Sequence, residues 1–213
     1  MGKSNKYGYI TPDTPVQSDG ANKGTFDLNE INNLKQNNQW TTIGNLNLIE
    51  TKSVTAGTEL LFEDLKTNTY RVHFAFVQGF APTTSGGSQL QLRFYESGVE
   101  QTGTVYNFSE QYTYSPGNGN SASATSSGPS LTSTTDTAGT AKADSMLCFY
   151  NLGDSTSNSY FTMHSVGSHP TSTIHIYGGG SLRQTSIVDK IKFFVAADTM
   201  DLTVSLYGLG NTL

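Results

Sequence analysis

Three histidines form the one group in this 213-residue chain with a metal-ligand composition. A turn containing His169 and Pro170 would set His164 and His175 on adjoining strands, where two imidazoles approach. No cysteine lies near them in sequence, and Asp154 is the closest upstream carboxylate. Solvated or hydrogen-bonded histidines on a polar strand face are therefore the simpler reading, and no metal or other cofactor is expected. A pH-sensitive contact between subunits is the alternative use of such a group. Glu96, Glu100 and Glu110 are the acids available for glycoside cleavage, which takes two carboxyls about 5–10 Å apart in a cleft. They fall on neighbouring strands or their hairpin, where surface acids are the default, so no enzyme is expected.

The nucleotide motifs fail on inspection. Gly2-Lys3-Ser4 lacks the upstream glycine, strand and helix of a phosphate loop, and Gly178-Gly179-Gly180 reads as a sharp turn between strands. There is no Gly-x-Ser-x-Gly elbow. Cys148, in the apolar run Met146–Tyr150, reads as a buried inert thiol and, being the single cysteine, excludes an intramolecular disulfide framework. Tyrosine is the better lead. Tyr95, Tyr106, Tyr112, Tyr114 and Tyr160 cannot all face one core, so some phenols are expected at a surface that contacts glycans or another protein.

The elements that position these residues read as β-structure. Charged residues make up only 14% of the chain, against about 25% in ordinary soluble domains, and Asn, Ser, Thr and Gly take their place. From residue 46 the apolar period is two. Val72, Phe74 and Phe76 alternate with Arg71, His73 and Ala75; Leu90, Leu92 and Phe94 alternate with Gln89, Gln91 and Arg93. Tyr106, Phe108, Tyr112 and Tyr114 share a phase. With candidates at 46–52, 146–152, 160–166, 173–177, 191–195 and 202–207, about nine strands are predicted. The fold class is all-β, an antiparallel jelly-roll-like β-sandwich over residues 46–213. Residues 115–141, almost entirely Ser, Thr, Gly, Asn and Ala, read as one long crossover loop, either solvated or in contact with a partner.

Residues 1–45 read as a polar arm and one short helix. Residues 1–26 hold too few aliphatics to offset their ordering entropy unaided. Asp27 and Glu30 then form a capping box for a helix bearing Leu28, Ile31 and Leu34 on one face, with Trp40 beyond it. A helix this short must dock on something. A net charge of −5 without a basic cluster argues against nucleic acid, and no apolar run is long enough for a membrane span. The chain lacks a signal-peptide pattern, so synthesis in a cytosol is expected.

Several blocks carry a resemblance. Tyr7-Gly8-Tyr9-Ile10, Pro15-Val16-Gln17-Ser18, Gly24-Thr25-Phe26-Asp27-Leu28-Asn29-Glu30-Ile31 and Leu48-Ile49-Glu50-Thr51 resemble the opening of small virion structural proteins of tailed marine bacteriophages. Phe94-Tyr95-Glu96-Ser97-Gly98-Val99, Phe149-Tyr150-Asn151-Leu152 and Val204-Ser205-Leu206-Tyr207-Gly208-Leu209 are similar to the same group. The resemblance implies a capsid decoration, head-fibre or tail-fibre-like component. Such components are commonly homotrimeric, assembled in the host cytoplasm and attached to other virion proteins. Tyr7, Tyr9, Phe26, Leu28, Ile31, Leu34 and Trp40 would then anchor the arm, and the sandwich would be displayed, with host surface glycans as a further possible partner.

Overall fold

The structure, a computed structural model, describes residues 3–5, 8–10, 32, 36, 46–83, 88–115, 117–132, 142–169 and 172–210. The chain divides into two units, residues 1–42 and residues 43–211. In the first, β1 (Lys3–Asn5) and β2 (Gly8–Ile10) pair as an antiparallel hairpin, with Tyr9 opposite Ser4. Asn32 and Gln36 are helical; the rest of the helix expected after Asp27 lies outside the described residues. So do Tyr7, Phe26, Leu28, Ile31, Leu34 and Trp40.

The second unit is an antiparallel sandwich. Its strands are β3 (Leu46–Gly57), β4 (Glu59–Phe62), β5 (Val72–Pro82), β6 (Gln91–Glu96), β7 (Val99–Glu100) and β8 (Tyr106–Tyr114). They continue as β9 (Gly117–Ser126), β10 (Ala143–Tyr150), β11 (Ser159–His169), β12 (Ser172–Leu182), β13 (Val188–Phe194) and β14 (Met200–Leu209). One sheet runs β3-β14-β5-β10-β11-β12-β8-β9, the other β4-β13-β6-β7. Setting β8, β9, β11 and β12 aside leaves eight strands that wrap as a jelly roll, the first beside the last in one sheet and the second beside the seventh in the other. The four set aside are two insertions, β8–β9 and the pair β11–β12, which widen the first sheet from four strands to eight.

The core lies between the sheets. Leu92, Phe94, Ile191 and Phe193 from the small sheet meet Val77, Leu147, Phe149, Phe161, Val204 and Leu206 from the large one. Phe94 and Phe149 meet edge-to-face, ring centroids 6.0 Å apart, and join the layers. Each such side chain, fully buried, contributes about 1.5–3 kcal/mol.

Three expectations are corrected. First, residues 115–141 are not one loop. Residues 117–126 form β9, paired with β8 from Tyr114↔Gly117 to Tyr106↔Ser126, and Leu131 is buried where the segment after β9 runs beside β6. The Leu131 N–H donates to the Leu90 carbonyl at 2.7 Å, and the Leu92 N–H to Pro129 at 3.1 Å. Second, Gly178-Gly179-Gly180 is the middle of β12, not a turn. A Cβ at Gly178 would overlap the Ser109 carbonyl and one at Gly180 the Asn107 carbonyl, so glycine is what lets β8 approach β12. Third, Cys148 is not in the core. Leu147 and Phe149 point inward from β10, while Met146, Cys148 and Tyr150 point outward, leaving Cys148 half-buried with burial pushing its thiol up.

Candidate functional site

The two sheets present chemically opposite outer faces. On the large sheet the register aligns Leu48, Tyr207, Phe74, Cys148 and Thr162 in one row across five strands. The next row runs Thr51, Ser205, Phe76, Met146, His164, Tyr177, Gln111 and Asn120. Leu48 is 57% exposed, Tyr177 48%, and Met146 and Tyr160 45% each. Leu46 and Val166 are exposed as well. Among the described residues of these strands, the outward charges are Asp144 and Asp201. Each caps a β-bulge by accepting from a backbone N–H, of Gly79 at 2.7 Å and Ala56 at 2.8 Å respectively. Charge depletion with aromatic and Met enrichment is the compositional mark of an interface centre.

The small sheet's outer face is instead a charge network. Lys192, almost fully buried, contacts Glu100 and lies 3.3 Å from Glu59, and Arg93 reaches Glu100 at 2.8 Å. Burial works against the charge on Glu100, yet hydrogen bonds from Lys192 and Arg93 together hold its carboxyl below the ordinary value. Arg93 and Lys192 both lie over the Phe194 ring, which shields them from water.

The five tyrosines singled out from sequence scatter between these environments. Tyr95 belongs to the charge network, its phenol donating to Glu100 at 3.2 Å. Tyr106 is wholly buried, accepting from the Phe94 N–H at 2.8 Å and donating to the Gln101 carbonyl at 3.1 Å, so it offers nothing to a partner. Tyr112 and Tyr114 stack at 6.0 Å on the inner side of β8, over Gly119 and Gly117 of the edge strand. Their rings supply the side-chain cover that glycine cannot. Tyr160 alone projects from the outer face, opposite Tyr150.

The carboxylates do not converge. Glu96 and Glu100 share the β6–β7 hairpin, whereas Glu110 lies in the other sheet. Glu110 points inward beside Gly178 and Ser121, and burial raises its carboxyl to about 7. His164 and His175 do fall on adjoining strands, opposite Tyr177 and Val166, and both are exposed. Among the described residues no three His, Cys, Asp or Glu groups gather as metal ligands. Nor is any described helix long and apolar enough to cross a membrane.

Sequence reasoning missed most of the outer face: Leu46, Leu48, Met146, Val166 and Tyr177. The available signal was that both phases of β5 and β10 are apolar, more than a one-sided strand needs. The fold defines a protein class, an antiparallel β-sandwich of jelly-roll type. Comparison with protein-family models, curated proteins and solved structures returns no match.

Proposed function

We propose that this chain is a non-enzymatic structural protein of a phage particle, a displayed decoration or fibre-like component that assembles with further copies of itself through the outer face of its eight-stranded sheet. The observation that carries the reading is the contrast between the two outer faces. Eight strands about 4.8 Å apart, over about seven residues rising about 3.3 Å each, span roughly 890 Å², and a stable interface takes about 800 Å² from each partner. A face this large with so little charge meets its own copy without like-charge repulsion. A shallow hollow of about 360 Å³ beside Phe76, Met146, His164 and Val166 gives a neighbour's side chain somewhere to seat. The virion setting comes from the resemblance of the arm and internal blocks. The non-catalytic reading draws support from Glu100, committed to Arg93 and Lys192, and from Glu96, which accepts from Ser186.

Light scattering on the full chain at micromolar concentration tests the assembly. A homotrimer or other closed oligomer is expected, and Leu48→Asp with Tyr177→Asp should dissociate it while leaving the far-ultraviolet dichroism unchanged. A monomeric wild-type chain would sink the reading.

A further inference from the structure

We infer that the crater between the β4–β5 and β10–β11 connections is a binding site for a neutral saccharide. It encloses about 460 Å³ and is lined by Thr67, Asn68, Thr69 and Arg71 on one side and Asn151, Gly153, Asp154 and Ser155 on the other. That volume lies within the range of about 300–1,000 Å³ typical of small-ligand sites. No aliphatic or aromatic side chain lines it, which disfavours lipids and flat apolar ligands. Hydroxyls, amides, one guanidinium and one carboxylate supply both donors and acceptors, the set that vicinal sugar hydroxyls require.

Much of that capacity is unengaged. Arg71 donates no hydrogen bond to any described residue, and neither do the side chains of Thr67, Asn151 and Ser155. Asn68 only accepts from the Thr69 hydroxyl, at 3.3 Å. Asp154 is oriented by the Thr156 hydroxyl and N–H, at 2.6 and 2.8 Å, and these bonds together with the charge of Arg71 keep its carboxyl ionised. Arg71 and Asp154 leave the crater with no net charge, so a neutral polyol suits it better than a phosphate or an acidic sugar.

The walls are fixed before any ligand arrives. Leu65 and Leu152 are buried at the bases of the two connections. Their carbonyls accept from His73 Nε2 at 2.7 Å and the Val188 N–H at 2.8 Å. Lys66 and Asn151 both hold left-handed backbone, φ 54° and 61°, conformations that cost energy and persist where the surroundings impose them. Gly153 sits so close to Thr67 that a Cβ there would lie 2.7 Å from the Thr67 carbonyl. A rigid polar crater loses little entropy on binding.

The test is a glycan array carrying neutral and acidic oligosaccharides, probed with the full chain, followed by calorimetry on the best neutral sugar. Retention of neutral glycans is expected, weakened roughly tenfold or more by Arg71→Ala and by Asn68→Ala. Both side chains are exposed, so both variants should fold; Val99→Ser, on the exposed β6–β7 hairpin and outside both the crater and the large sheet, should bind like wild type. Failure to retain any glycan, retention of acidic glycans only, competition by inorganic phosphate, or equal weakening by Val99→Ser would each overturn the assignment. The outcome is separable from assembly: a monomeric chain that binds sugar loses the assembly reading and keeps this one.

Discussion

Phe76 and Tyr207 meet edge-to-face on the outer side of the large sheet, ring centroids 5.6 Å apart, with the inward strand neighbours Ala75, Val77 and Leu206 in the core. Two aromatic rings thus pack together on the side turned away from the core. Phe76→Ser should weaken self-association strongly while costing the fold only about 1 kcal/mol, the value of one aromatic pair on a surface. Phe149→Ala, one strand away and facing inward, should cost about 3–5 kcal/mol. Urea denaturation paired with light scattering separates the two. Equal loss of stability would mean that the outer pair is a second core rather than an interface.

How much of this was legible in the sequence depends on what each signal encodes. Strict alternation in β6 placed Leu92 and Phe94 inward, because only one phase of that strand is apolar. Alternation in β5 gave two faces without saying which turns inward, since Phe74 and Phe76 look more core-like than His73 and Ala75. β9 was illegible for another reason: Gly, Asn, Ser and Ala have no apolar phase, and its pairing depends on β8 and on two tyrosine rings laid over its glycines. The crater residues come from two segments far apart in the chain, 67–71 and 151–155, and each segment alone reads as an ordinary connection. Only the fold brings Arg71 to Asp154.

Glycine placement gives a sharp contrast. Gly180→Ala would push a Cβ into the Asn107 carbonyl and the Phe161 ring, where backbone cannot yield, so about 2 kcal/mol or more of destabilisation is expected. Gly98→Ala meets nothing within 4 Å, and its cost is the left-handed backbone alone, φ 76°, about 1 kcal/mol. Thermal melts of the two variants check the order. A reversal would mean that β8 and β12 are not held as close as their register requires.

A buried histidine and a half-buried glutamate shape the pH dependence in opposite senses. His73 donates through Nε2 to Leu65 while its Nδ1 is buried without a partner, so burial holds the imidazolium form down. Its contribution is complete above the ordinary histidine value of 6.5 and is lost as pH falls through its lower folded value. Glu110 is the reverse. Raised from 4.5 to about 7 by burial, it contributes fully below 4.5, and that contribution is lost as pH rises through 7. Glu110→Gln should therefore match wild type in acid and become progressively more stable than it between pH 4.5 and 7, with a constant gap above. Parallel stability curves across that range would show that Glu110 titrates normally.

The last prediction concerns Lys192, whose ammonium is the most deeply buried charge described in the small sheet. Its two carboxylate partners are unequal: Glu100 is 22% exposed and shared with Arg93, whereas Glu59 is 53% exposed. Removing the charge of Glu100 leaves Lys192 and Arg93 facing each other with their common counter-ion gone, which should cost about 2–3 kcal/mol after allowance for partial solvent access. Glu59→Gln removes a partner already screened by water and should cost less than about 1 kcal/mol. Lys192→Met should fall between them, because Glu100 keeps Arg93 and the methionine packs on Phe194 in place of the lysine stem. Chemical denaturation of the three variants measures the order, and a Glu59→Gln cost equal to that of Glu100→Gln would show that the two carboxylates share the ammonium evenly.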